Sequence, residues 1–377
     1  MKEKRRLLWV DKDPSLYSSN YIGMFDLTKG LIMVEIILSH CINDYLNLLL
    51  YDGGDNILVQ LLLSPLTLLR YGPVPMLFMI CGYGVRRQRI KKCIKNHIKI
   101  FLFPYLCVMI GVMIFVFIKW GLFGGSLVGR LVQQVLPFLF GFHPGAHLLG
   151  DSLEQIGPVW FVFTYIFGSI YLNFVLQAKQ SWVQVFILTA GTAVALILVG
   201  LPLPFCLQQI LICSGFMYVG MALKREKVPQ QKLPLYIVLI IYLICTVSTE
   251  LGGLAEIGNN VYRFGGIDLI LAYLAGVVLL CLHQRLNVLQ GVIADGLRWI
   301  GRHMMWFCCV HTISYLAVPW KKIGAYFGNY PLIGLLVEIL TSFAFAILGC
   351  ILIEVGIKKR IAKKRASRKD IISRYGD

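Results

Sequence analysis

Ten apolar runs, most of them about as long as a bilayer-crossing helix, follow one another between residues 27 and 356, with mostly short polar stretches between them. Roughly 20 apolar residues are not stable in water, and inside hydrocarbon their peptide groups must bond within the segment, as a helix does. The pattern predicts spans over 27–49, 73–86, 99–119, 158–177, 183–200, 205–223, 234–250, 265–283, 304–320 and 332–356. A mean hydropathy of +0.73 and 58% hydrophobic residues exclude a soluble domain. The expected fold is therefore an all-α polytopic membrane protein, with about ten transmembrane helices in one bundle. The second span is short and follows ILVQLLLSPLTLLRY, where Pro65, Gly72, Pro73 and Pro75 prevent one straight helix. Residues 57–70 read as a re-entrant or interfacial helix. The charged first twenty residues do not have the pattern of a cleavable signal.

Charge sets the orientation. With the N-terminus in the cytoplasm, 30 of the 36 lysines and arginines fall on the inner side under one strict alternation. Arg70, Lys119, Arg130, Arg263, Lys321 and Lys322 fall outside. Both termini are thus expected to be cytoplasmic, and Trp120, Trp160, Trp182, Trp299 and Trp320 fall near the interfaces. The net charge of +17 reads as orientation and contact with anionic lipid headgroups, not nucleic-acid binding. The reading divides the chain into a cytoplasmic segment 1–26, a membrane domain 27–356 and a basic cytoplasmic tail 357–377. The eleven cysteines lie scattered, mostly inside apolar runs, and suggest neither disulfides nor a metal site.

Lys29 and His40 share the first span. Eleven helical steps at ~1.5 Å place His40 about 16 Å from Lys29, near mid-bilayer if Lys29 snorkels at one face. An ionisable group at that depth is a functional candidate because its desolvation is costly. Asp44, one turn beyond, either orients the His40 imidazole or is solvated at the helix end. Glu35 lies on a different face of the helix from His40 and needs a partner, with Lys29 or an arginine elsewhere as candidates. Arg86, Arg87, Arg89, Lys91, Lys92 and Lys95 form a basic inner loop that orients the chain and is able to receive phosphate groups. His311, well inside the ninth span, either packs or takes part in catalysis. His143, His147 and Asp151 have metal-like spacing, but Pro144 and Gly145 break the helix that would align them, so no metal is expected. The glycines of GLFGGSLVG read as a turn.

These residues resemble a pattern known from the acyltransferase-3 family of integral membrane acyltransferases, which act on sugars and cell-surface glycans. The family's first helix carries Arg or Lys, ten residues, then His, matched by Lys29 and His40. A Phe-Phe-x-x-Ser-Gly-like element is matched loosely by Leu77 to Gly82, with Cys81 in place of serine. Arg86 and Arg89 fit an inner Arg-x-x-Arg, and Pro104 and Tyr105 fit a following Pro-Tyr. Gly301 to His311 is similar to a late Gly-x-x-Ser…Tyr-Leu-x-His stretch, with Met304 where serine is common. The chain departs from the family at the fourth span, where Trp-Ser-Leu-x-x-Glu is replaced by Trp160, Phe161 and Val162, with Tyr165 at the glutamate position.

The resemblance implies an O-acyltransferase that uses cytoplasmic acyl-CoA, with acetyl-CoA the leading donor. Arg86 and Arg89 would hold the donor's phosphates, and Lys29 would neutralise donor charge or pair with Asp26 or Glu35. His40 would act as general base or transient acyl carrier toward a hydroxyl of a cell-surface or lipid-linked glycan, with Asp44 and His311 as further catalytic candidates. A bacterial plasma membrane location is expected. A transporter or flippase of a lipid-linked sugar or small metabolite is the alternative. A membrane scaffold within a glycan-assembly complex is a third reading. The Lys29–His40 spacing followed by the inner arginines favours the enzyme.

Overall fold

The computed structural model describes residues 23–52, 71–124, 126–142, 147–148, 151–153, 155–226, 233–253, 255–318, 326–327 and 330–375, with side chains outside the description at 43–52, 99, 119, 123, 130, 147–148, 151–152, 250, 331–332 and 357–375. The helix expected at 57–70 lies outside the described residues, as does His143. Among the described residues the chain forms twelve α-helices and two short β-hairpins. The helices are α1 (Asp26–Asp52), α2 (Pro73–Gly84), α3 (Ile90–Phe123), α4 (Leu127–Phe140), α5 (Trp160–Val175), α6 (Ser181–Ile197), α7 (Leu207–Arg225), α8 (Leu235–Glu250), α9 (Gly266–Leu286), α10 (Val292–Arg302), α11 (Met304–Ala317) and α12 (Pro331–Tyr375). Strands β1 (His147–Leu148) and β2 (Asp151–Ser152) pair antiparallel, as do β3 (Ala255–Glu256) and β4 (Val261–Tyr262).

Each of the ten apolar runs is helical. Five helices, α3, α5, α7, α9 and α12, are long and apolar enough to cross a membrane. Helices α2, α6, α8 and α11 are apolar but shorter. Helix α4 lies between the third and fourth expected spans, where the apolar pattern predicts no helix. Ser126 caps it by accepting a hydrogen bond from the Gly129 N–H at 3.1 Å, and Gly141 ends it in the left-handed region at φ 61°. Gly124 ends the preceding helix α3 at φ 66°, and Gly125 lies outside the described residues.

Helix α2 is the axis of the bundle. It starts at Pro73, a residue suited to a first turn because that turn's N–H groups have no helical partner. Met76, Phe78 and Met79 are fully buried. A reciprocal glycine contact sets its crossing with α7: a Cβ on Gly82 would strike the Met217 carbonyl, and one on Gly220 would strike the Met79 carbonyl. The two backbones touch with no side chain between them, as small residues permit in membrane helix pairs. A second pair of this kind, Gly30 on Leu297 and Gly301 on Asp26, seats α10 against the start of α1. Gly220→Ala is expected to destabilise the folded protein by about 1–3 kcal/mol, the usual range for overpacking. Gly84→Ala, on the partner helix α2 with nothing near its Cβ position, is the control. Melting curves in detergent that coincide for the two variants would refute the crossing.

Side-chain bonds tie neighbouring helix ends together. Gln284 and Asn287 at the end of α9 donate to the Met24 carbonyl at 3.2 and 3.0 Å, beside the start of α1. Lys224 Nζ at the end of α7 donates to the Tyr83 carbonyl at 2.9 Å, near the end of α2. These ends carry Arg86, Arg87, Arg89, Lys224, Arg225, Arg285 and Arg302, and they form the basic end of the bundle. The opposite end carries the β3–β4 hairpin, and there Gln209 Nε2, near the start of α7, donates to the Gly258 carbonyl at 2.8 Å.

Candidate active site

Helix α1 carries three polar pairs in succession. Lys29 Nζ meets Asp26 Oδ1 at 2.8 Å in its first turn, one of the two pairings expected for that lysine. Glu35 Oε1 meets His283 Nε2 at 3.0 Å, with 12% and 8% of those side chains exposed. Glu35 was expected to pair with a lysine or an arginine. A histidine from α9 takes that place, a buried contact across 248 positions of sequence. Farther along, His40 Nδ1 lies 2.9 Å from His311 Nε2. Their rings are nearly parallel, with an interplanar angle of 11° and centroids 5.2 Å apart.

The His40–His311 dyad joins two residues that the sequence offered separately. His311 sits two turns into α11 and is 2% exposed. Its own Nδ1 is buried without a hydrogen-bond partner. Tyr315, one turn on, places its ring 5.0 Å from that of His40. The Nδ1 of His40 is therefore engaged by an imidazole, the role considered for the Asp44 carboxylate. The Asp44 side chain lies outside the described residues. With Nδ1 engaged, Nε2 is the His40 nitrogen left to the cavity beside it.

That cavity encloses about 200 Å³. Five places in the chain converge on it: Glu35 to His40 on α1, Pro73 to Pro75 at the start of α2, Gln155 to Trp160 at the start of α5, the β3–β4 hairpin, and Tyr315. Its walls are thus made largely at the end of the bundle opposite the basic loop. Glu35 and His40, five residues apart on α1, both reach it.

The basic loop between α2 and α3 is held by a residue the sequence reading did not single out. Asn173, 1% exposed, accepts the Gln88 N–H at 2.9 Å and donates to the Gln88 carbonyl at 2.8 Å. Gln177 adds a bond to the same carbonyl at 3.4 Å, and Arg87 donates to the Gln177 carbonyl at 3.3 Å. The clasp holds the loop extended, with Arg86, Arg87 and Arg89 exposed. An asparagine inside an apolar span is the one local signal that marks it.

Lys29, Arg86 and Arg89 do not line the His40 cavity. Helix α2 separates the two, with Pro73 at the cavity and Gly84 before the loop, a rise of about 16 Å for its 12 residues. Cys81, at the position where the resembled family carries serine, lies between these levels, close to Lys29 and to Tyr165. Among the described residues no group of three His, Cys, Asp or Glu side chains is placed to hold a metal ion.

A family model for an acyltransferase domain matches residues 22–355. No curated protein and no solved structure matches the chain. The match takes in α1 with its histidine, the basic loop, the α11 histidine and nearly all of the apolar helices: the chain belongs to the acyltransferase-3 family and is a membrane protein.

Proposed function

We propose that this chain is an O-acyltransferase of the cell membrane. It would move an acyl group, acetyl in the first instance, from cytoplasmic acyl-CoA to a hydroxyl of a cell-surface or lipid-linked glycan. The observation that carries the reading is the His40–His311 dyad, whose His40 lines a cavity.

The chemistry needs a base at the acceptor hydroxyl. His40 Nε2 takes the hydroxyl proton as the oxygen attacks the thioester carbonyl, and the C–S bond then breaks. The imidazolium returns that proton to the leaving thiolate, so protons and charge balance over the cycle. His311 Nε2 accepts the His40 Nδ1–H, which fixes the tautomer with a free lone pair on Nε2. The pair works as a nucleophile's base and its orienting group do elsewhere, with a neutral ring as the orienting group. Asp44 takes no part in this scheme.

The donor approaches from the basic end. Arg86 and Arg89 bind its phosphates through charge-assisted hydrogen bonds, while Lys29 is taken up by its pair with Asp26. The acceptor reaches His40 through the cavity at the opposite end. Placing the two substrates on opposite sides of the dyad suits a cytoplasmic donor and an exported acceptor.

The test is reconstitution of the purified protein in proteoliposomes with labelled acetyl-CoA and an extract of cell-surface glycans. Label is expected in alkali-labile ester on the glycan, and its absence would refute the activity. Arg86→Ala and Arg89→Ala are each expected to raise KM for acetyl-CoA about fivefold to tenfold, on the scale of one exposed charge-assisted bond. Asn173→Ala loosens the loop without removing a cation and should raise the same KM about threefold, as the loop must then be ordered on binding. An unchanged KM in all three variants would remove the loop from the donor site.

A further inference from the structure

The cavity that holds His40 has a charge character that the acyltransferase reading does not supply. Two carboxylates line it, Glu35 and Glu256, and among the described residues no lysine or arginine does. Glu35 already has His283 against Oε1. Glu256 is different: Oε2 accepts from Asn259 Nδ2 at 3.0 Å, which leaves Oε1 for a ligand. Among the described residues its bonding partner is the neutral Asn259, and no ion pair compensates the negative charge of Glu256 there.

The hairpin that presents Glu256 is built to stay in place. The Gly258 carbonyl is anchored by Gln209. The turn closes through Asn260, which donates its N–H to the Ile257 carbonyl at 3.4 Å and sits at φ 54°, a conformation asparagine tolerates better than most residues. Gln155 and Trp160 line the same cavity as the hairpin.

From this lining we infer that the cavity selects a neutral, polyhydroxylated acceptor and rejects an anionic one, with Glu256 as the specificity-determining residue. The inference rests on the acyltransferase reading for the word acceptor. A carboxylate and two carboxamides satisfy hydroxyl groups, which donate and accept. An indole offers an apolar surface to the C–H face of a sugar ring. A uronate or phosphate in so small a space would face Glu256 with no lysine or arginine among the described lining residues to neutralise either charge. Its desolvation would then be unrecovered.

The test is binding, measured by isothermal titration to the full-length protein in lipid nanodiscs without donor. The probes are a neutral hexose tetrasaccharide and a hexuronate tetrasaccharide. The neutral probe is expected to bind at least about tenfold more tightly, a difference of ~1.4 kcal/mol. Glu256→Gln should narrow that gap and Glu256→Lys should close or invert it. Equal affinity, tighter binding of the uronate, no binding of either probe, or a gap unmoved by Glu256→Lys would each overturn the inference. Acetyl transfer by the same preparation fails separately: charge-selective binding without transfer would remove the activity and leave the selectivity standing.

Discussion

Replacement of His40 by alanine is expected to cut acyl transfer at least about 1,000-fold, equivalent to ~4 kcal/mol of barrier. A general base commonly supplies a factor of about 10² to 10⁴. Alanine also leaves His311 without its partner, so a folding defect has to be separated from a chemical one. His40→Gln does this. Its amide is able to bond His311 but does not take up a proton at neutral pH. Both variants should lose activity alike while His40→Gln keeps the melting temperature of the parent. The measurement is initial rate with labelled acetyl-CoA alongside a detergent melt. More than about a tenth of the parent rate in His40→Gln would show that the imidazole is not the base.

The helices were legible in the sequence, because they depend on local composition. Hydropathy over twenty residues reports which segments form long apolar helices. Helix α4 escaped because LVGRLVQQVLPFLF carries an arginine and two glutamines on a short apolar segment, a pattern that reads equally as loop. What lies against what was not legible. The His40–His311 contact joins positions 271 apart, and nothing in either segment's period states that α1 and α11 face each other there. Glu35 shows the same gap: its need for a partner was evident, yet the partner sits on α9. Gly82 and Gly220 stand in unrelated stretches, and only the packed backbones show that neither tolerates a side chain. Helix geometry makes a contact one turn away at Asp44 easy to foresee, whereas the imidazole that meets His40 Nδ1 comes from another helix.

That orienting group yields the second large effect. His311→Phe is expected to lower kcat about 30-fold to 100-fold, roughly 2–3 kcal/mol, and to leave KM for acetyl-CoA near its original value. The phenyl ring fills the same space but accepts nothing from His40 Nδ1–H. That donor is then unpaired, and the ring is free to turn or to change tautomer, which removes the lone pair from Nε2. His311→Gln restores an acceptor and should recover much of the loss, a rescue that a purely packing role would not produce. Because His311 acts only through His40, the two losses should not add: the double variant His40→Ala/His311→Phe is expected to be no slower than His40→Ala alone. Additive losses, or a phenylalanine variant with unchanged kcat, would mean that the 2.9 Å contact is packing and that His40 works without its neighbour.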